Sequence, residues 1–147
     1  MMMMRTLALV VVGMLALGGP ANAGPDEDRA IVEALYSRVF NGKDLTAVPD
    51  LIAVDYIQHN PAIETGRDAF IAAFTGYFAA VPGLTVDIKR IIAADSLVVV
   101  HSHWRDSPTE RGQAVIDIYR IENGKIAEHW DVVQPVPATA ANDNGLF

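Results

Sequence analysis

Gly112-Gln113-Ala114-Val115-Ile116-Asp117-Ile118-Tyr119-Arg120-Ile121-Glu122-Asn123-Gly124-Lys125-Ile126-Ala127-Glu128-His129-Trp130-Asp131 reads as two strands joined by a tight turn. Asn-Gly between two alternating runs is a strong hairpin signal, because both residues tolerate positive φ. The strands run from Gly112 to Glu122 and from Lys125 to Gln134. On the first, Val115, Asp117, Tyr119 and Ile121 share a face. Asp117 stands between Ile116 and Ile118. A carboxylate in the middle of an apolar strand is unusual and is expected to be partly buried.

The turn decides what faces Asp117. A two-residue turn pairs Glu122 with Lys125 and sets Trp130 opposite Asp117. A three-residue turn, with Gly124 as a left-handed bulge residue, pairs Ile121 with Lys125 and sets His129 opposite Asp117. One residue of slip exchanges the two faces completely. The second register is preferred, because it gathers Asp117, His129 and Asp131 on one side. It leaves Ile116, Ile118, Trp130 and Val132 on the other, an apolar face suited to a second copy of the chain.

Upstream, the same period of two covers two more strands. Leu84, Val86 and Ile88 alternate with Thr85, Asp87 and Lys89, and a slip at Arg90-Ile91-Ile92 marks a bulge. Leu97 to Arg105 follows a turn at Ala94-Asp95-Ser96, and its Leu97, Val99, His101, His103 and Arg105 share one face. Before residue 84 the period is helical. Pro25 and three acids open a helix that carries Ile31, Leu35, Val39 and Phe40 on one side, with Ala34 and Tyr36 beside them, and stops at Asn41-Gly42. A short helix fits Leu45 to Ile52, then a brief strand Tyr56-Ile57-Gln58 and a turn at Asn60-Pro61. A third helix fits Arg67 to Ala80, with Phe70, Phe74, Tyr77 and Phe78 along one face, and Pro82-Gly83 ends it. Those aromatics read mainly as core, with some at a cavity mouth. Three helices followed by a four-stranded antiparallel meander make an α+β domain. Helices laid across the concave face of a curved antiparallel sheet enclose a pocket, a usual place for a small ligand.

The first 23 residues read differently. Arg5 precedes an uncharged apolar run, Thr6 to Leu17, and Ala21-Asn22-Ala23 has the small-x-small form that signal peptidase cuts. The run is too short for the roughly 20 residues of a spanning helix. The expected organisation is a signal peptide over 1–23, one domain over 24–134 and an irregular tail over 135–147, the product being periplasmic or secreted. The chain has 11 basic and 18 acidic residues, and only Arg5 of these lies in the signal. An acidic domain repels phosphate backbones and anionic lipid surfaces, so neither nucleic acid nor, after cleavage, membrane is an expected partner.

A buried Asp beside imidazoles is an acid–base arrangement. Asp117 is the candidate base. His59, His101, His103 and His129 are the imidazoles available, with Asp131 and Tyr119 expected beside the substrate. His101-x-His103 also invites a metal reading of the cupin kind, but the helical first half argues against that double-sheet barrel.

These stretches carry a family resemblance. Tyr56-Ile57-Gln58-His59-Asn60-Pro61, His101-Ser102-His103-Trp104, Asp117-Ile118-Tyr119-Arg120 and the hairpin from Glu122 to Asp131 resemble the SnoaL-like polyketide cyclases, of the nuclear-transport-factor-2-like superfamily. The closing Asn144-Gly145-Leu146-Phe147 is similar to the tail of a subgroup described as predicted aldol-condensation enzymes. The resemblance implies a cone-shaped α+β fold, often a homodimer, with a deep pocket and no cofactor. It implies Asp117 as general acid and base on a small carbonyl compound, with His103 the best match for the cyclases' pocket His. In related ketosteroid isomerases an Asp three residues before the strand's Arg donates a hydrogen bond, and Asp117 stands so before Arg120. A signal peptide departs from intracellular cyclases, so their polyketide substrates do not transfer. The same pocket would serve a non-catalytic periplasmic ligand-binding module, and the apolar sheet face an interaction domain. Intact-mass measurement of the protein from an exporting cell should give a chain beginning at Gly24; a mass that retains Met1 contradicts the signal.

Overall fold

The computed structural model describes residues 24–147, so the expected signal peptide lies outside the described residues. Among those residues no helix is long and apolar enough to cross a membrane. Helix α1 spans Pro25–Ala34 and continues as a wider π-helical segment over Leu35–Asn41. A 3₁₀ turn, Leu45–Ala47, is capped by the Asp44 carboxylate, which accepts from Thr46 N, and leads into the short α2, Val48–Leu51. Strand β1, Ile52–Gln58, precedes α3, Arg67–Ala80. The remaining strands are β2, Thr85–Ala94, β3, Leu97–Arg105, β4, Gln113–Glu122, and β5, Lys125–Pro135.

The four C-terminal strands form the expected antiparallel meander. The sheet has five strands, however, in the order β1-β5-β4-β3-β2, and β1 joins β5 in parallel. The sheet is therefore mixed. The brief strand expected at Tyr56–Gln58 is longer because β5 offers it an edge. The expected slip in β2 is a bulge at Lys89, between the pairs Ile88–Ser102 and Arg90–His101.

The β4–β5 register is neither of the two anticipated. The turn is the two-residue kind, with Glu122 opposite Lys125 and positive φ at Asn123 and Gly124. Ile121 pairs with Ile126, but Arg120 pairs with Glu128, so Ala127 is an extra residue in β5. Beyond the bulge Tyr119 faces His129, Ile118 faces Trp130 and Asp117 faces Asp131. The anticipated grouping on each face holds, because the bulge restores the parity that the two-residue turn would have reversed.

Parity on β3 corrects the sequence reading. Val100 pairs with Asp117 and His101 with Ile116. The face turned to the helices is thus Val98, Val100 and Ser102, all fully buried, and His101 and His103 lie on the other side. Small side chains suit this inner face, where α1 and its π segment press on the sheet. The core gathers Val32, Leu35, Tyr36, Val39 and Phe40 from that helix with Ile52, Tyr56, Phe70, Leu84 and Ile126. The tail beyond Pro135 has no helix or strand and ends with Phe147 folded onto the outer face over His101 and His103.

Leu35 is 1% exposed and Val54 is 67% exposed. Leu35→Ala should cost about 2–5 kcal/mol of unfolding free energy in urea melts. Val54→Ala should change it by less than about 0.5 kcal/mol. Equal effects would contradict this placement of the core.

Candidate active site

A cavity of about 410 Å³ opens between the helices and the concave face of the sheet. Phe40, Phe70, Tyr77 and Trp104 form apolar walls, and Asp117, His129 and Asp131 stand at its floor with Tyr119. The aromatic face of α3 thus serves as expected, Phe74 in the core and Phe70 and Tyr77 on the cavity. Asp106, Glu110 and Arg111 edge the mouth, where Tyr77 donates to Asp106 at 2.6 Å. Gly112 permits the β3–β4 loop to return closely: its φ is +73°, and a Cβ there would meet Trp104 O at 2.0 Å.

Asp117 is 3% exposed, and its two oxygens have separate partners. Tyr36 donates to Oδ2 at 2.5 Å, and His129 Nε2 lies 2.9 Å from Oδ1. His129 is itself buried, stacked on Tyr119 with 4.8 Å between ring centres. Its Nδ1 faces Gln58 Oε1 at 2.8 Å, and Gln58 Nε2 donates to the Tyr56 hydroxyl at 3.1 Å. Asn60 Nδ2 donates to Asp131 Oδ2 at 2.6 Å. Both oxygens of the buried carboxylate are therefore paired.

Of the anticipated site residues, the structure brings Asp117, His129, Asp131 and Tyr119 together. It sets the other three histidines outside. His59 stacks on Trp130 at 4.8 Å and bonds Glu128 at 2.8 Å. His101 meets Arg90 at 2.9 Å, and its burial, then the Arg90 charge, holds its pKa below the usual histidine range. His103 Nε2 donates to Arg111 O at 2.7 Å. The imidazole beside Asp117 is His129, in place of His103, because β3 shows its valine face to the core. Tyr36, Gln58 and Asn60 were missed. The period of two puts Gln58 on the buried side with Tyr56 and His59 on the other. No comparable signal in the sequence singles out Tyr36 from its apolar helix neighbours.

Asp117, His129 and Asp131 each offer a ligand atom, all within 4.8 Å of one another, and are the described residues that could hold a metal ion. A cation would have to break the 2.9 Å contact between His129 Nε2 and Asp117 Oδ1.

Charge shapes the phenols. Burial first, then the Asp117 charge, pushes Tyr36 and Tyr119 well above the ordinary range. Tyr56 is raised by burial, then by Asp117 and Asp131, and Tyr77 by burial, then by its bond to Asp106. These are all four tyrosines of the chain.

A curved sheet with helices across it, enclosing a cavity floored by acid–base side chains, defines the nuclear-transport-factor-2-like cone. Residues 32–129 match the SnoaL-like domain, and the chain belongs to that family. Among solved structures it is similar to TsrD from Streptomyces laurentii, at 20% identity over 76% of this chain and 91% of that one, with a TM-score of 0.65. It is similar to a candidate ketosteroid isomerase from Kribbella flavida, at 16% identity over 84% and 89%, with a TM-score of 0.67. A candidate polyketide cyclase from Bacillus cereus is 18% identical over 73% and 74%, with a TM-score of 0.63. No curated protein matches the chain.

For each tyrosine the folded chain holds a proton that the unfolded chain releases. The stability this contributes is full below the unfolded phenol value of 10.0 and is lost as pH rises toward the higher folded values. Phenolate absorbance should thus emerge together with loss of near-ultraviolet circular dichroism at alkaline pH. Titration of the tyrosines near pH 10 with the fold intact would contradict their burial.

Proposed function

We propose that this protein is an exported, cofactor-independent lyase or isomerase that performs aldol or enolisation chemistry on a small carbonyl compound. The observation that carries the reading is the 2.9 Å contact between His129 Nε2 and Asp117 Oδ1 at the floor of an apolar cavity. Membership of the SnoaL-like family and likeness to candidate cyclase and isomerase structures support it.

With Nδ1 protonated, the pair holds one transferable proton between Nε2 and Oδ1. In its charge-separated form Asp117 is a carboxylate beside an imidazolium. The carboxylate takes a proton from the carbon alpha to the substrate carbonyl. The electron pair moves into the carbonyl, and the oxygen becomes an enolate beside the imidazolium, which offsets its charge. Return of the proton to another carbon completes an isomerisation; attack of the enolate carbon on a second carbonyl forms the bond of an aldol closure, and the new alkoxide takes the proton that Asp117 holds. Low polarity around the cavity strengthens these short-range interactions. Tyr36 holds Oδ2 and His129 faces Oδ1, so Oδ1 is the oxygen whose proton the imidazole can exchange.

We also propose that the outer face of β4 and β5 pairs with a second copy. Ile116 is 37% and Val132 is 69% exposed there, next to half-buried Ile118 and Trp130. Wild-type protein should sediment as a dimer and Val132→Asp as a monomer; a wild-type monomer contradicts this.

Exchange of alpha hydrogens for deuterium across a panel of small apolar ketones tests the chemistry without knowledge of the natural substrate. Wild type should accelerate exchange of at least one ketone, and Asp117→Asn should lose about 100-fold or more of that rate. Exchange that survives Asp117→Asn intact overturns the mechanism. A ligand that co-purifies without any exchange would point to a binding module.

A further inference from the structure

The turn after β1 carries two side-chain amides whose orientation the backbone dictates. Asn60 N–H donates to Gln58 Oε1 at 3.0 Å, and Ala62 N–H donates to Asn60 Oδ1 at 2.9 Å. A backbone N–H can only donate, so the atom it meets in each amide is the oxygen. Gln58 therefore presents an oxygen, 2.8 Å away, to His129 Nδ1. An amide oxygen only accepts, so Nδ1 is the ring nitrogen that carries hydrogen. By the same logic Asn60 presents Nδ2–H to Asp131 Oδ2, 2.6 Å away.

We propose that Gln58, oriented by the Asn60 amide, is a positioning residue that locks the proton of His129 on Nδ1 and reserves Nε2 for the proton shared with Asp117. The other neutral tautomer would have Nε2–H pointing at Asp117. It could donate to the carboxylate but could not accept a proton from it. With Nδ1 occupied, Nε2 does either, which is what a proton-sharing pair needs. The lock also explains the alternation in Gln58-His59-Asn60: the two amides face inward, while His59 turns out to Trp130 and Glu128. Gln58 is 9% exposed, so water competes little for its oxygen. The effect on turnover rests on the acid–base reading above; the tautomer itself does not.

The test is ¹⁵N NMR of His129 in the folded protein, with turnover followed in parallel on the ketone that wild type exchanges. In wild type, Nδ1 should remain protonated and Nε2 should be the nitrogen whose state changes. Gln58→Leu removes the acceptor, and should release the tautomer and lower kcat by about 10- to 100-fold, with KM little changed. Gln58→Glu keeps an oxygen for both the Asn60 amide and Nδ1–H, because the Tyr56 hydroxyl can turn to donate; it should restore the Nδ1 proton. An unprotonated Nδ1 in the wild-type neutral ring overturns the proposal, whether or not either variant folds. An unchanged tautomer in Gln58→Leu overturns it too. A protonated Nδ1 together with exchange indifferent to Asp117→Asn would keep the lock and remove the acid–base reading.

Discussion

One extra residue in β5 governs the site. Ala127 has no partner in β4, and the strand beyond it is displaced by one position. Without that displacement the two-residue turn at Asn123-Gly124 would carry Glu128 and Trp130 to the concave face, and His129 and Asp131 to the outside. The displaced register instead brings an imidazole and a second carboxylate to Asp117. Glu128 is left outside, where Arg120 first and His59 second hold its carboxyl below the ordinary range. A bulge next to a functional site commonly re-aims a side chain in this way.

Asp117 could not be buried without its donors, since an unpaired charge in an apolar strand is strongly destabilising. One donor arrives from the sheet as His129 and the other from the helical layer as Tyr36. The wide π turn that begins at Leu35 is a form that frequently occurs at functional sites. It presents Tyr36 to the carboxylate while Phe40, one turn on, meets Trp104 and Phe74 at 4.8 and 5.2 Å. The same segment therefore holds the floor of the cavity and builds its wall.

Much of the fold was legible in the sequence, and the physical reason is periodicity. Arg67–Ala80 and the four long strands follow apolar spacings that only one secondary structure satisfies. The pocket face of β4 was legible too, because Asp117 stands between two isoleucines. The bulge at Ala127 was not, since a bulge inserts a residue without changing composition. On β3 both faces begin with valine or leucine, and the histidines could be assigned to the wrong one; only the pairing of Val100 with Asp117 decides it. The parallel pairing of β1 with β5 is a contact between residues some 70 positions apart, which local pattern does not encode. The amides of Gln58 and Asn60 became meaningful once the backbone donors that orient them were in place.

The account stands on one hydrogen shared between Asp117 and His129 in a buried pair. Neutron diffraction from crystals of the deuterated protein would locate it. The account predicts one deuteron between Asp117 Oδ1 and His129 Nε2, with Asp117 Oδ2 accepting from Tyr36. No deuteron on that line, or a His129 ring turned away from Asp117, would contradict it.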